Sequence, residues 1–408
     1  MTRRPASTSF DLAAVASPGA ARTGATDPGP TVGVEEEFFL VDTTSECLTE
    51  SNEAVVAAGR RLGARMDYEL KRIQIEVNTP VCRSSTELRA RVLEARATAA
   101  AAAVQCGVGL LAAGASPTVQ PLAPVTDVPR YRTMAERYGR LVEEQEVCGC
   151  HVHVGVADRE IAVHVCNHVR LWLPALLAST ANSPLYRGRD TGYASWRAIV
   201  AGRWPCSGPP PRFTSVEHFD SVVDIMIESG NILDPGMVYW DVRPSAHLPT
   251  VEVRVSDVPA TVDETVLMAT VVRALVATAE RDVRAGVAAP PVPDEVLRAA
   301  YLCAAREGPG GRAIDVSTGR TTTSRQSFAT LLRHIRPQLE ETGDYRRTVK
   351  MSEKIFSRGT GAMLQRRAFG RRHDPADVVD ALTRQFVAEP WAHTVSGGAH
   401  PAPDVPAM

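Results

Sequence analysis

The sequence predicts an α+β protein built on an antiparallel sheet, with a helical C-terminal third. Three observations carry this. Strand-like and helix-like segments are mixed up to about residue 257, and helical patterns dominate from about 262 onward. The strand-like segments alternate polar with apolar residues, as strands with one face on a core do. No repeat of 20–50 residues and no linker interrupts residues 30–390, so that span reads as one domain.

Each element has its own local signal. Residues 1–29 are rich in Ala, Ser, Thr, Pro and Gly without sustained periodicity, which predicts a disordered leader, and residues 391–408 predict a flexible tail. "TVGVEEEFFLVD" (31–42) reads as a strand, a helix follows around 52–63, and "KRIQIEVNTPV" (71–81) is a second strand closed by Pro80. The stretch 84–105 opens with a capping-box pattern, Ser84 to Glu87, and continues as a long helix. "GVGLLAAGASP" then predicts a strand. "VCGCHVHVGV" (147–156) is another, and Asp158 is placed to cap a helix running to about 180. "GRWPCSGPPPRF" (202–213) is a loop, and "VYWDVRPSAHLPTVEVRVSD" (238–257) is two strands joined by a turn around Ser245–Pro249.

Composition excludes several classes. With 408 residues, 44% hydrophobic, 23% charged and a net charge of −2, nothing indicates a nucleic-acid or membrane-surface protein. The apolar run 98–115 is alanine-rich and broken by Gln105, Gly107 and Gly109, so it is not a membrane span. Eight cysteines without paired spacing read as reduced thiols, and "LAAVA" near the N-terminus is too short for a signal core, so a cytoplasmic location is expected. Lys71, Lys350 and Lys354 are the only lysines, so a phosphate here would be met by arginine.

"CGCHVHVG" (148–155) invites a zinc reading. Alternation argues against it, because His151 and His153 share one strand face while Cys148 and Cys150 take the other. The same test sorts four further strands. Glu35 and Glu37 share a face; so do Gln74, Glu76 and Asn78; so do Asp241 and Arg243, and Glu252 and Arg254. Any one such strand fits a half-solvated sheet. Together, though, the polar faces carry Glu, His and Arg rather than Thr, Ser and Lys. Clustered glutamates repel unless cations lie between them, and carboxylates with an imidazole suit Mg²⁺ or Mn²⁺. Arginines on the same face suit phosphate, which points to phosphoryl transfer from a nucleotide. No P-loop or Rossmann glycine motif is present.

"GVEEEF", "QIEVNTPVC", "CGCHVHVGV", "NSPLYRGRDTGYASWRA", "RWPCSGPPP" and "YWDVRPSAHLPTVEVRVSDVP" occur in order over roughly residues 31–310. In these motifs the chain resembles the YbdK-like carboxylate–amine ligases, the type 2 glutamate–cysteine ligase family. The resemblance implies a glutamine-synthetase-like fold, in which a curved antiparallel sheet flanked by helices forms an active-site funnel. It also implies ATP as cofactor with Mg²⁺ or Mn²⁺: a small-molecule, glutamate-like carboxylate becomes an acyl phosphate, and an amine displaces phosphate to give an amide. By motif position it makes Glu35, Glu37, Glu76, His151 and Glu252 metal ligands, with Glu69 a further acidic ligand reached through a turn or bulge. Arg254 is the phosphate-binding arginine, and His153 is a hydrogen-bonding partner near the nucleotide rather than a ligand. Arg243 either holds phosphate or a substrate carboxylate, or forms a sheet-face ion pair with Asp241. Two departures, Ser116 where many relatives have histidine and Pro309 in "AAREGPGG", bear on substrate identity. A metal-dependent amidohydrolase using His151 and His153, and an idle nucleotide-binding relative, are the alternatives. A homodimer is the default expectation.

Overall fold

The computed structural model describes residues 29–387; the expected tail, and the expected leader apart from Gly29, lie outside the described residues. The organising element is a seven-stranded, wholly antiparallel sheet. Its strands are β1 (Val32–Asp42), β2 (Met66–Tyr68), β3 (Gln74–Asn78), β4 (Val108–Leu111), β5 (Gly149–Gly155), β6 (Val242–Pro244) and β7 (Thr250–Asp257). The spatial order is β2-β3-β1-β5-β7-β6. β4 pairs with the far end of β1, where Phe39 faces Leu111 on one side and Gln74 of β3 on the other.

Strand alternation decides what each face does. Val34, Val152, Val154, Val251, Val253 and Val255 are buried together against helices. These are α2 (Ser85–Gln105, following α1, Asn52–Arg61), α4 (Arg159–Val169, following α3, Pro129–Tyr138) and α8 (Val262–Arg284). Ser84 caps α2 by accepting from the Glu87 N–H, Asp158 caps α4 through the Ile161 N–H, and Thr261 with Glu264 forms a full capping box on α8. α4 stops at Val169, a 3₁₀ turn (Arg170–Trp172) follows, and α5 (Leu173–Thr180) restarts with Pro174 in its first turn. The expected single helix is therefore two. Arg159–Thr180 is long and apolar enough to cross a membrane, but 83% of its apolar window is buried inside the protein, as in a core helix.

One acidic residue of β1 breaks the alternation and has a specific reason to. Glu36 points to the helix side, where Arg96 of α2 forks onto it at 2.9 and 2.7 Å and Thr265 of α8 donates at 2.6 Å. Arg96 is fully buried, so this pair is charge-balanced and hydrogen-bonded away from water.

A second layer stands over the other sheet face. α3 and α7 (Val216–Glu228) contribute, with Trp204, Phe213 and Trp240, to an aromatic cluster that also takes in Leu70 and Met134, while α6 (Trp196–Ala201) lines the same cavity through Arg197 and Ala201. The helical third comprises α8, α9 (Asp294–Glu307), α10 (Ser324–His334), α11 (Tyr345–Arg358), α12 (Gly361–Phe369) and α13 (Pro375–Val387). It is interrupted by a small hairpin, Arg312–Ile314 with Thr321–Thr323, that helical periodicity does not announce. Asp315 seeds its turn by accepting from the N–H groups of Ser317 and Thr318.

Candidate active site

Antiparallel register turns five separate polar faces into one cluster. Glu35 of β1 lies opposite His151 of β5 and Asn78 of β3, and Glu37 lies opposite Glu76. His153 lies opposite Glu252 of β7, which lies opposite Arg243 of β6. Residues directly opposite in a ladder point to the same side, so these side chains converge. β7 carries an irregularity here: Cys150 pairs with Ser256, while Val152 already pairs with Val253, so Arg254 and Val255 together face His151. The bulge takes two carbonyls off the ladder, and the buried Arg197 of α6 picks them up, at 2.9 Å from Arg254 O and 3.4 Å from Val255 O. The N–H of Arg254 goes to the Asp241 carbonyl at 2.7 Å.

Two groups of ligand-type atoms result. Glu35, His151 and Glu252 form one, and Glu37, Glu76 and His151 the other, with all atoms of each group within 4.8 Å of one another. His151 links them, presenting Nδ1 at 3.1 Å from Glu35 and Nε2 at 3.6 Å from Glu37. His153 sets Nε2 at 3.3 Å from Glu35 and is steered by Thr250 at Nδ1, 3.0 Å away. The Gly149 N–H donates to Glu37 at 2.6 Å, and a side chain at 149 would collide with Arg197. Cys150 is buried in the helix-side core, whereas Cys148, just before β5, departs from the expected sorting: it is buried with its Sγ 3.3 Å from the Gln74 amide nitrogen; all eight cysteines are free thiols.

Arg243 differs from the sheet-face alternative. Its ion-pair partner is Glu252, held by Nε at 2.8 Å and Nη2 at 3.1 Å, and Asp241 is not in that pair. The Arg243 guanidinium is also tied to the carbonyls of Gly236 and Val238. Arg254 takes the Glu252 Oε1 as well and lies 5.9 Å from the Tyr239 ring centre. Glu69 sits on the turn between β2 and β3, which supplies the change of direction its parity requires. It lines the same cavity but stands outside both ligand groups.

The charges are strongly redistributed. For Glu35, burial opposes ionisation but the His153 charge and hydrogen bonds from both histidines outweigh it and hold the carboxyl well below its usual range. For Glu252, burial is likewise overcome by Arg243 and Arg254, and the group stays ionised. Glu69 goes the other way: burial, then the Glu37 charge, pushes it from 4.5 up to about 8. Burial, with Glu35 and Glu69 beside it, raises Glu76 well above the carboxylate range. Burial and Arg254 lower His151, whereas Glu35 and Glu252 overcome burial at His153 and raise it. The pattern is that of an anionic site short of cations.

These groups surround a cavity of about 230 Å³. Its wall includes residues the motif reading did not single out, among them Arg130 and Tyr131 of α3, Arg197, Trp204 and Tyr239. Tyr239 was within reach of the sequence, since it alternates with Asp241 and Arg243. The α3 residues carry no such signal, because a loop of many residues brings that helix over the sheet.

Comparison with known proteins places this geometry. Residues 31–384 match the glutamate-cysteine ligase family 2. The chain is 51% identical over 353 residues to a Nocardia farcinica protein named "Putative glutamate--cysteine ligase 2-1", covering 86% of this chain and 92% of that one. It is 46% identical over 361 residues to "Putative glutamate--cysteine ligase 2-3" of Mycolicibacterium smegmatis, covering 88% and 99%. Its fold resembles that of a Francisella tularensis glutamate–cysteine ligase crystallised with AMP, with a TM-score of 0.64 at 12% identity, over 90% of this chain and 91% of that chain. It also resembles a bifunctional glutathione synthetase from Pasteurella multocida, with a TM-score of 0.63 at 14% identity, over 89% of this chain and 53% of that chain.

Proposed function

This chain belongs to the glutamate-cysteine ligase family 2, and from that premise we propose that it joins a small-molecule carboxylate to an amine at the expense of ATP. The carboxylate is first phosphorylated to an acyl phosphate; the amine then attacks the acyl carbon, a C–N bond forms, and phosphate leaves with the C–O bonding pair. The observation that carries the reading is the pair of carboxylate–imidazole groups joined through His151, with Arg254 beside them.

The donor set fits Mg²⁺ or Mn²⁺: glutamate oxygens with one imidazole, no thiolate, and one of the glutamates, Glu76, pushed toward protonation by burial and then by its neighbours' charge. Glu35, Glu37, Glu76, His151 and Glu252 would hold such ions, which supply charge neutralisation between ATP and the attacking carboxylate. The protein's own groups do the rest. Both oxygens of Glu252 are occupied by arginines, so engaging it elsewhere loosens Arg254 and frees that guanidinium for the transferred phosphoryl group. Arg243, anchored by two carbonyls, stays behind and keeps Glu252 oriented. Glu69, raised by burial to about 8 and with no place in either ligand group, is suited in its ionised form to take the proton that the amine must lose.

The test is a phosphate-release screen over amino-acid and amine pairs with ATP and Mg²⁺. Release that requires both a carboxylate and an amine is expected. Amide hydrolysis in the absence of ATP, or nucleotide binding without turnover across a broad amine panel, contradicts the reading.

A further inference from the structure

A run of hydrogen bonds leads from a buried carboxylate outside the cavity to the arginine given to the phosphoryl group. Asp257 ends β7, three residues after Arg254, and is fully buried behind the cavity wall rather than on it. Its Oδ2 accepts from the Asn182 N–H and the Ser183 hydroxyl, and its Oδ1 from the Ser195 hydroxyl, each at 2.7 Å. The space is tight: a Cβ on Gly114 would lie 2.7 Å from the Asp257 carboxyl carbon. Both serines look two ways. Ser183 Oγ accepts from the Arg197 N–H at 3.0 Å, and Ser195 Oγ accepts from the Ala198 N–H at 3.3 Å, so the two hydroxyls join Asp257 to the first turn of α6. The Arg197 side chain then returns to β7, onto the carbonyls of Arg254 and Val255 at the bulge. It passes over Gly149, which lies opposite Asp257 and whose N–H holds Glu37.

We propose that Asp257 is a positioning residue for phosphoryl transfer: it fixes the start of α6, so that Arg197 holds the bulge that aims Arg254 into the cavity. This rests on the ligase reading above and adds a residue that never meets the substrates. The chemistry asks for a carboxylate. An ionised carboxylate only accepts, so both hydroxyl protons turn toward it and leave their lone pairs for the α6 amides. An asparagine of the same shape offers one oxygen and an NH₂ group, so one of the three donors would face another donor. Burial pushes the Asp257 carboxyl up and the Arg197 charge pulls it back, which places the two within electrostatic reach.

The experiment is a double-mutant cycle on the full-length chain, read as phosphate release with ATP, Mg²⁺ and a carboxylate–amine pair that the wild type uses. Rates are taken per folded molecule, with folding measured by circular dichroism. Asp257→Asn is expected to lower kcat about tenfold while the KM for the amine changes less than about twofold. On an Arg197→Met background the same substitution is expected to lower kcat by less than about twofold, because the side chain it acts through is already gone. A merely structural aspartate would give losses that multiply. Multiplying losses overturn the proposal, as does a full kcat in Asp257→Asn. If Asp257→Asn does not fold, Ser195→Ala takes its place in the cycle, with the same expected result and the same overturning one. Absence of phosphate release from the wild type with every pair would instead count against the ligase reading. The positioning role is then decided by crystal structures of wild type and Asp257→Asn: an Arg254 guanidinium displaced in the variant is expected, and an unmoved one overturns the proposal.

Discussion

At the scale of single residues, the site is a set of glutamates that the protein cannot satisfy by itself. Glu69 and Glu76 are held protonated well above the usual carboxylate range, while Glu35 and Glu252 are held ionised by histidines and arginines. The sign of the stability consequence follows. Glu69 rises from 4.5 to about 8 on folding, so its contribution is fully present below about pH 4.5 and is lost as pH climbs toward 8. Glu76 acts in the same direction. Glu35 and Glu252, being lowered, act below their ordinary range and do not mask the trend, and His151 and His153 are shifted in opposite directions. The metal-free protein is therefore expected to melt at a lower temperature at pH 8 than at pH 5.5, with the gain from added Mg²⁺ growing over the same interval. Calorimetry in buffers of different ionisation enthalpy is expected to show roughly one proton released per Mg²⁺ bound at pH 7; binding with no proton release contradicts the account. Glu76→Gln removes a repelling carboxylate. It is expected to raise the melting temperature of the metal-free protein at pH 8 while lowering kcat by about a hundredfold or more.

At the scale of elements, the sheet does two jobs with its two faces, and the link between them is Glu36. This residue lies between Glu35 and Glu37 on β1 but points to the helices, where Arg96 and Thr265 hold it. Breaking that buried pair leaves a charge without a partner. Arg96→Met alone is expected to destabilise by about 3–5 kcal/mol in urea unfolding, and pairing it with Glu36→Met to restore part of the loss. A small effect of the single substitution would show that the pair does not anchor β1. Much of this level was legible in the sequence. Alternation placed Glu35, Glu37, Glu76, His151, Glu252 and Arg254 on the polar faces, and the Ser84 and Asp158 caps fixed where α2 and α4 begin. Other features were not. The bulge at Arg254–Val255 preserves the alternation of the residues before it, so no period reveals it. Arg243 pairs across strands with Glu252 rather than along its own strand with Asp241, which only the β6–β7 register decides. The short β2 carries too few residues for a periodic signal, and α3 is brought over the site by tertiary packing of Met134 in the aromatic cluster.

At the scale of the whole molecule, catalysis depends on strands that are distant in sequence closing around one anionic cavity roofed by α3 and α6. Hydrogen bonds from Arg197 to the bulge couple that roof to the sheet. Arg197→Met is expected to lower kcat about tenfold or more through misplacement of Arg254, with a smaller change in the KM for the amine; an unchanged kcat would show that the bulge holds without it. The central claim is that β1, β3, β5 and β7 bring their glutamates and His151 around shared divalent cations. Anomalous diffraction from crystals grown with Mn²⁺ and ATP tests it most directly. The account predicts manganese peaks ligated by Glu35, Glu37 and Glu76 beside His151. Peaks elsewhere, or a nucleotide bound with these glutamates unligated, would contradict it.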